Sequence, residues 1–223
     1  MKTPPLGHTF QHGDLLVRAL THPSARTALG PSGDNQQLEF LGDAILQATL
    51  SDLLIEKHPT AHEGQLTAMR ASLANRHTLA ELGNELSLSP CLRVGVDAAR
   101  DKIHESPGVL ADAWEAVLGA IFLDGGYDIA RAWVSRVYGD RIAQAKKLAD
   151  QANPKGQLQE LLQSRNGPMP IYEMVESIGP DHEKIFTIRV LLAEKEIGRG
   201  TGRSRKSAES KAAASALGNL PNA

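Results

Sequence analysis

A chain of 223 residues suits one large domain or two small ones, and its 41% hydrophobic and 22% charged content is ordinary for a globular protein. No run of about 18 apolar residues occurs, and Met1 to Phe10 lacks the basic-then-apolar order of a signal peptide, so neither a membrane span nor a secretory leader is expected. The single cysteine, Cys91, excludes an intrachain disulfide and fits a reducing cytoplasm. The net charge of −2 does not announce a polyanion partner. Its distribution is more telling, because five basic residues (Arg199, Arg203, Arg205, Lys206, Lys211) stand against one acid, Glu209, near the C-terminus.

The first two thirds reads as mainly helix. Leu15 to Thr21 is a short apolar segment ended by His22-Pro23. Thr27 to Gln36 is polar, with Gly30, Pro31 and Gly33, and is expected to be a loop. From Leu38 to Glu56 apolar residues are nearly continuous, at a length that favours a buried helix, and His58-Pro59 stops it. A second helical pattern runs from about Gly64 to Leu86, with a break near Asn75. Val94 to Pro107 is irregular. Leu110 to Asp124 is another apolar helix ended by Gly125-Gly126, and an amphipathic helix follows to about Ala149.

Asp150 to Pro154 is polar and contains Asn-Pro, which reads as a linker. Beyond it the pattern changes. Gln157 to Arg165 suggests a helix. Ile171 to Ile178, Ile185 to Leu192 and Glu196 to Gly200 have strand character, with a turn at Gly179-Pro180-Asp181. Ser204 to Leu217 is an alanine-rich helix. The expected organisation is an all-helical domain over residues 1–149, a linker over 150–153, and a small α+β domain of order α-β-β-β-α over 154–223. Ile171, Val175, Ile185, Ile188, Val190, Ala208 and Ala212 are expected in the core of the second domain.

The most informative segments place carboxylates in apolar sequence. Glu39 and Asp43, four apart, share one face of the Leu38–Glu56 helix. Asp112 and Glu115, three apart, share one face of the Leu110–Asp124 helix. Like charges at these spacings repel, and apolar neighbours make their burial costlier. Two such pairs suggest a common cationic counterpart. No His or Cys stands beside them at zinc-site spacing, so the donor set suits magnesium or manganese. Charge and spacing leave a second reading equally open, in which the four acids pair with arginines such as Arg18, Arg70 or Arg76.

The run Asn35-Gln36-Gln37-Leu38-Glu39-Phe40-Leu41-Gly42-Asp43-Ala44 resembles the signature of bacterial ribonuclease III. Ala19-Leu20-Thr21-His22, Glu63-Gly64 with Met69-Arg70-Ala71, and Leu110-Ala111-Asp112-Ala113-Trp114-Glu115-Ala116 are similar to that family in the same order. The last part of the chain resembles a double-stranded RNA-binding domain. The resemblance implies a helical nuclease domain that acts as a symmetric homodimer, each subunit cutting one strand of an RNA duplex. It implies that Glu39, Asp43, Asp112 and Glu115 bind Mg2+, with Mn2+ able to substitute, that Asp43 and Glu115 carry hydrolysis, and that products bear 5′-phosphate and 3′-hydroxyl ends. Phe40 would insert into the partner subunit.

Two further positions, Gln36 and Glu63, match family sites near the scissile strands. Gln36 stands where the family commonly has Glu. The stretch Asp101 to Gly108 also departs from the family pattern before Asp112. In the second domain the resemblance assigns Arg203, Ser204, Arg205 and Lys206 to phosphates, and Gln159, Glu160, Gln163, Pro180 and His182 to the minor groove. Ribosomal RNA precursors would be the usual substrates, the location cytoplasmic, and no nucleotide cofactor or membrane would be involved. The competing expectation is a catalytically idle dimer that only binds duplex RNA.

Overall fold

The computed structural model describes residues 3–28, 33–180 and 183–220. The chain divides between Lys146 and Lys147 into two compact units. The first contains α1 (Gly13–Ala19), a 3-10 turn (Pro23–Ala28), α2 (Gln36–Lys57), α3 (Glu63–Leu73), α4 (Arg76–Glu85), α5 (Val96–Arg100), α6 (Pro107–Tyr138) and α7 (Asp140–Ala143). Among the described residues, no helix is long and apolar enough to cross a membrane.

Local chemistry sets the helix starts that matter most. Ser106 caps α6, its side chain accepting from Val109 N at 3.3 Å, and Pro107 occupies the first helical position. The departure from the family pattern before Asp112 is therefore a helix-start signal, which places Asp112 in the second turn of α6. Asn75 caps α4 by accepting from Thr78 N at 3.0 Å, and its amide also donates to Ser72 O at 2.6 Å, so the expected break near Asn75 is a pinned corner between α3 and α4. The Gly125-Gly126 break is a kink, with Gly126 at φ 79°, after which α6 continues. The segment beyond it, expected as one helix to Ala149, is interrupted again at Gly139, where φ is 51°.

The two longest helices, α2 and α6, form the centre of the first unit. Leu38, Leu46, Leu50 and Leu54 of α2 and Trp114, Val117, Leu118 and Ile121 of α6 are all buried. The two backbones touch. A Cβ on Gly42 would lie 1.8 Å from Glu115 O, and one on Gly119 would lie 2.2 Å from Leu38 O. Trp114, Trp133 and Tyr138 stack beside this crossing, and the Tyr138 hydroxyl donates to Leu73 O.

The second unit begins in α8 (Ala145–Ala152), which runs across the division, and continues through α9 (Pro154–Ser164), β1 (Ile171–Ile178), β2 (Ile185–Leu192), β3 (Lys195–Gly202) and α10 (Arg205–Asn219). Asp150 to Ala152, expected in a linker, are the last turn of α8. Asn153 stands between two helices, and its side chain accepts from Gly156 N at 3.1 Å to cap α9, with Pro154 in the first turn. The Asn-Pro pair thus starts α9.

The sheet is antiparallel in the order β1-β2-β3. Gly198, Gly200 and Gly202 alternate along the inner face of β3, and a Cβ on Gly200 would meet Ala212 N at 2.2 Å. Glycine on the strand and alanine on α10 let the helix lie almost on the sheet backbone. Ile188, Val190, Ala208 and Ala212 are buried there as expected, but Ile171, Val175 and Ile185 are 59%, 45% and 52% exposed. Strand alternation explains the error. Tyr172 pairs with the buried Val190, so Ile171 faces the other side; Phe186 packs on the core, so Ile185 also faces outward; Val175 sits at a bulge in the edge strand.

The α2–α6 contact makes a prediction. Gly119→Ala forces the backbones apart and should cost about 3 kcal/mol of stability, measured by denaturant unfolding. An unchanged unfolding midpoint would show that the crossing tolerates separation.

Candidate functional site

The α2–α6 crossing brings carboxylates together. Glu39 projects from α2, and Asp112 and Glu115 from α6. One oxygen of each lies within 4.8 Å of the other two. Three hard oxygen donors at this separation could together hold a metal ion. Asp43, expected in the same set, lies outside this group. It is exposed and accepts from Gln47 Nε2 at 3.3 Å.

The acids disturb one another. Glu115 is pushed up to about 7, first by burial and then by repulsion from Asp43, Glu39 and Asp112. Glu39 is raised as well, by burial and by the charges of Asp112 and Asp43. Arg76 opposes the shift in both groups. Its Nη2 donates to Asp112 Oδ1 at 3.1 Å. The ion-pair alternative is thus partly realised, through Arg76. The other two arginines have partners elsewhere: Arg70 donates to Ser51 Oγ at 2.8 Å, and Arg18 to Gln37 Oε1 at 2.5 Å and Asp34 O at 3.2 Å.

Gln36 and Glu63 are exposed and outside the triad. Gln36 opens α2, its backbone N donating to Asp34 Oδ1. Glu63 opens α3 and lines a cavity of about 230 Å3 with Ser51, Ile55, Leu66, Thr67 and Arg70. Nothing in the sequence pattern marked this cavity, because its walls come from two helices. Phe40, on α2, is 82% exposed. A phenyl ring so placed has no role in the core of its own chain.

In the second unit Gln159 and Gln163 lie exposed on α9, with Glu160 half-buried beside them. Pro180 is exposed; His182 lies outside the described residues. Arg203, Arg205 and Lys206 are exposed around the start of α10, and Ser204 caps that helix by accepting from Ser207 N at 3.1 Å. The cap leaves the other first-turn N–H groups of α10 beside a cluster of cations, an arrangement suited to phosphate. Sequence reasoning missed the brace behind it. Glu209 accepts from Lys155 at 2.6 Å and Arg205 at 3.3 Å, tying α9 to α10, while Lys155 also lies over the Tyr172 ring.

The site imposes a pH dependence. The ordinary value of Glu115 is 4.5, and in the folded protein it rises to about 7. Between these values the unfolded chain loses this proton more readily than the folded one, so folding loses stability as pH rises through that window. The penalty is absent below the window and complete above it. In metal-free protein Glu115→Gln should therefore raise the melting temperature at pH 7.5 and raise it less at pH 5. Equal changes at both pH values would contradict this assignment.

The chain is similar to known proteins along most of its length. The Ribonuclease-III-like family model matches residues 12–142, and the double-stranded RNA binding motif matches residues 154–220. Ribonuclease 3 of Thiobacillus denitrificans is 40% identical over 96% of this chain and 93% of its own length. Ribonuclease 3 of Oleidesulfovibrio alaskensis is 43% identical over 95% of this chain and 93% of its own. Among solved structures, a nuclease domain of ribonuclease III from Campylobacter jejuni, described for flexibility in a region involved in dimer formation, is similar with TM-score 0.56 and 36% identity. It covers 59% of this chain and 90% of its own. With the matched motifs and the acidic crossing in one chain, the protein belongs to the ribonuclease III family of endoribonucleases acting on double-stranded RNA.

Proposed function

We propose that the enzyme cuts duplex RNA with Mg2+, for which Mn2+ substitutes, and leaves 5′-phosphate and 3′-hydroxyl ends. In this reading residues 1–149 are the nuclease domain, 150–153 the junction and 154–223 the RNA-binding domain. The observation that carries it is the convergence of Glu39, Asp112 and Glu115, with all three ligand atoms within 4.8 Å of one another. Bound there, the metal would supply positive charge to a phosphate oxygen and acidity to a water. Glu115, the more buried end of the site, anchors it; Asp43, at the exposed edge, orients the attacking water. Gln36 and Glu63 flank the scissile strands, and the neutral Gln36 donates a hydrogen bond where a carboxylate would only accept.

Arg203, Arg205 and Lys206 hold phosphates beside the capped start of α10. Gln159, Glu160, Gln163, Pro180 and His182 meet the minor groove. Recognition is then by duplex shape. The working unit is a homodimer. Its support is the exposed Phe40 together with the open cavity lined by Ile55, Leu66 and Thr67 on the same unit, a knob and a socket that a two-fold partner could exchange. Ribosomal RNA precursors and other structured transcripts in the cytoplasm are the proposed substrates.

Two measurements test this reading. A long RNA duplex with Mg2+ should be cut by the parent protein, and Glu115→Ala should slow cutting by at least about a hundredfold. A parent protein that binds the duplex but leaves it intact with both metals would be the idle binder instead. Separately, the Arg205→Ala, Lys206→Ala double variant should weaken duplex binding and flatten its dependence on log salt by about one unit per residue removed. An unchanged slope would take both residues off the phosphates.

A further inference from the structure

Arg76 breaks a local rule. It is the first residue of α4, and a cation at a helix N-terminus opposes the helix dipole. No acid stands in the first turn of α4 to compensate. Its guanidinium also reaches the start of a second helix: a Cβ on Gly108, in the first turn of α6, would lie 3.3 Å from Arg76 Nη1. One cation is thus held between two positive helix ends. Such an arrangement persists only if something nearby outweighs it. The compensation is the acidic triad, reached through the 3.1 Å bond from Arg76 Nη2 to Asp112 Oδ1.

We propose that Arg76 is the resident counter-cation of the metal-free site, a positioning residue that offsets the repulsion among Glu39, Asp112 and Glu115 and competes with the divalent metal for Asp112. The inference rests on the metal reading of the triad. The bonded oxygen belongs to a carboxylate that the metal also needs. Arg76 itself is 73% exposed along its side chain, against 29% for Asp112, so the guanidinium can leave toward solvent without repacking the core. Its backbone does not follow, because Asn75 pins the corner before it. The protein therefore carries a side-chain cation matched in charge to part of what the metal supplies, on an arm anchored outside the α2–α6 crossing.

The test uses the full-length protein without RNA, with free Mn2+ read from its electron paramagnetic resonance signal. Arg76→Gln keeps the stem and removes the charge; it should bind Mn2+ about two- to fivefold more tightly than the parent, the range expected when a partly exposed ion pair is lost. Arg76→Lys should restore an affinity close to that of the parent. In chelator, Arg76→Gln should melt below the parent at pH 7.5, and saturating Mn2+ should erase most of that difference. Parent protein that takes up Mn2+ while Arg76→Gln binds it no more tightly, or a Lys variant that behaves like Gln, overturns the role of Arg76 alone. Parent protein that takes up no Mn2+ overturns the metal reading and this inference with it.

Discussion

The acidic cluster depends on two helices touching backbone to backbone. Gly42 and Gly119 have no side chains, and any added carbon would collide with a carbonyl of the opposite helix. That approach holds α2 and α6 with their backbones in direct contact. Glu39 lies three residues before Gly42, and Glu115 four before Gly119. Each acid is therefore about one turn from the contact, and the crossing delivers both to the same point. Packing around it by leucines, Trp114 and Tyr138 holds the geometry, so the position of the carboxylates is a property of the core.

The same closeness creates the electrostatic problem the site must solve. Burial and mutual repulsion raise Glu39 and Glu115, and the helices cannot move apart to relieve them. A divalent cation held by Glu39, Asp112 and Glu115 would offset that repulsion. In its absence Arg76 offsets part of it from the side. Such a site gains affinity for a hard cation because its unliganded state is strained by charge, and the rigid crossing prevents that strain from relaxing.

In the second unit, small residues again set the spacing, but for another purpose. Glycines on β3 and alanines on α10 bring helix and sheet together around a core of Leu158, Leu162, Ile188 and Val190. The cationic start of α10 and the polar face of α9 are then held in fixed relation by the Lys155–Glu209–Arg205 brace. A duplex has rigid grooves at set spacing, so a double-stranded RNA binding motif gains from holding these two surfaces on one stiff frame.

Much of this was legible from the chain. The helices, the three strands and the four acids follow from apolar periodicity and from charges standing where burial is costly. The signature around Glu39-Phe40-Leu41-Gly42-Asp43 adds the family and its chemistry. The differences between sequence and structure have separate causes. The Asn153-Pro154 pair and the Ser106-Pro107-Gly108 run looked like breaks because capping by a side chain and chain flexibility use the same residue types. Ile171, Val175 and Ile185 looked like core because composition does not say which face of a strand is covered. Spacing along one helix put Asp43 with Glu39, and Asp43 is the foremost of the charges acting on Glu115, although its oxygens are not among the three within 4.8 Å of one another. The sequence by itself determined which residues carry charge into apolar helices and which family they belong to. The tertiary structure decided that Glu39, Asp112 and Glu115 converge and that Arg76 reaches Asp112 from α4, because those relations depend on how close two backbones can approach.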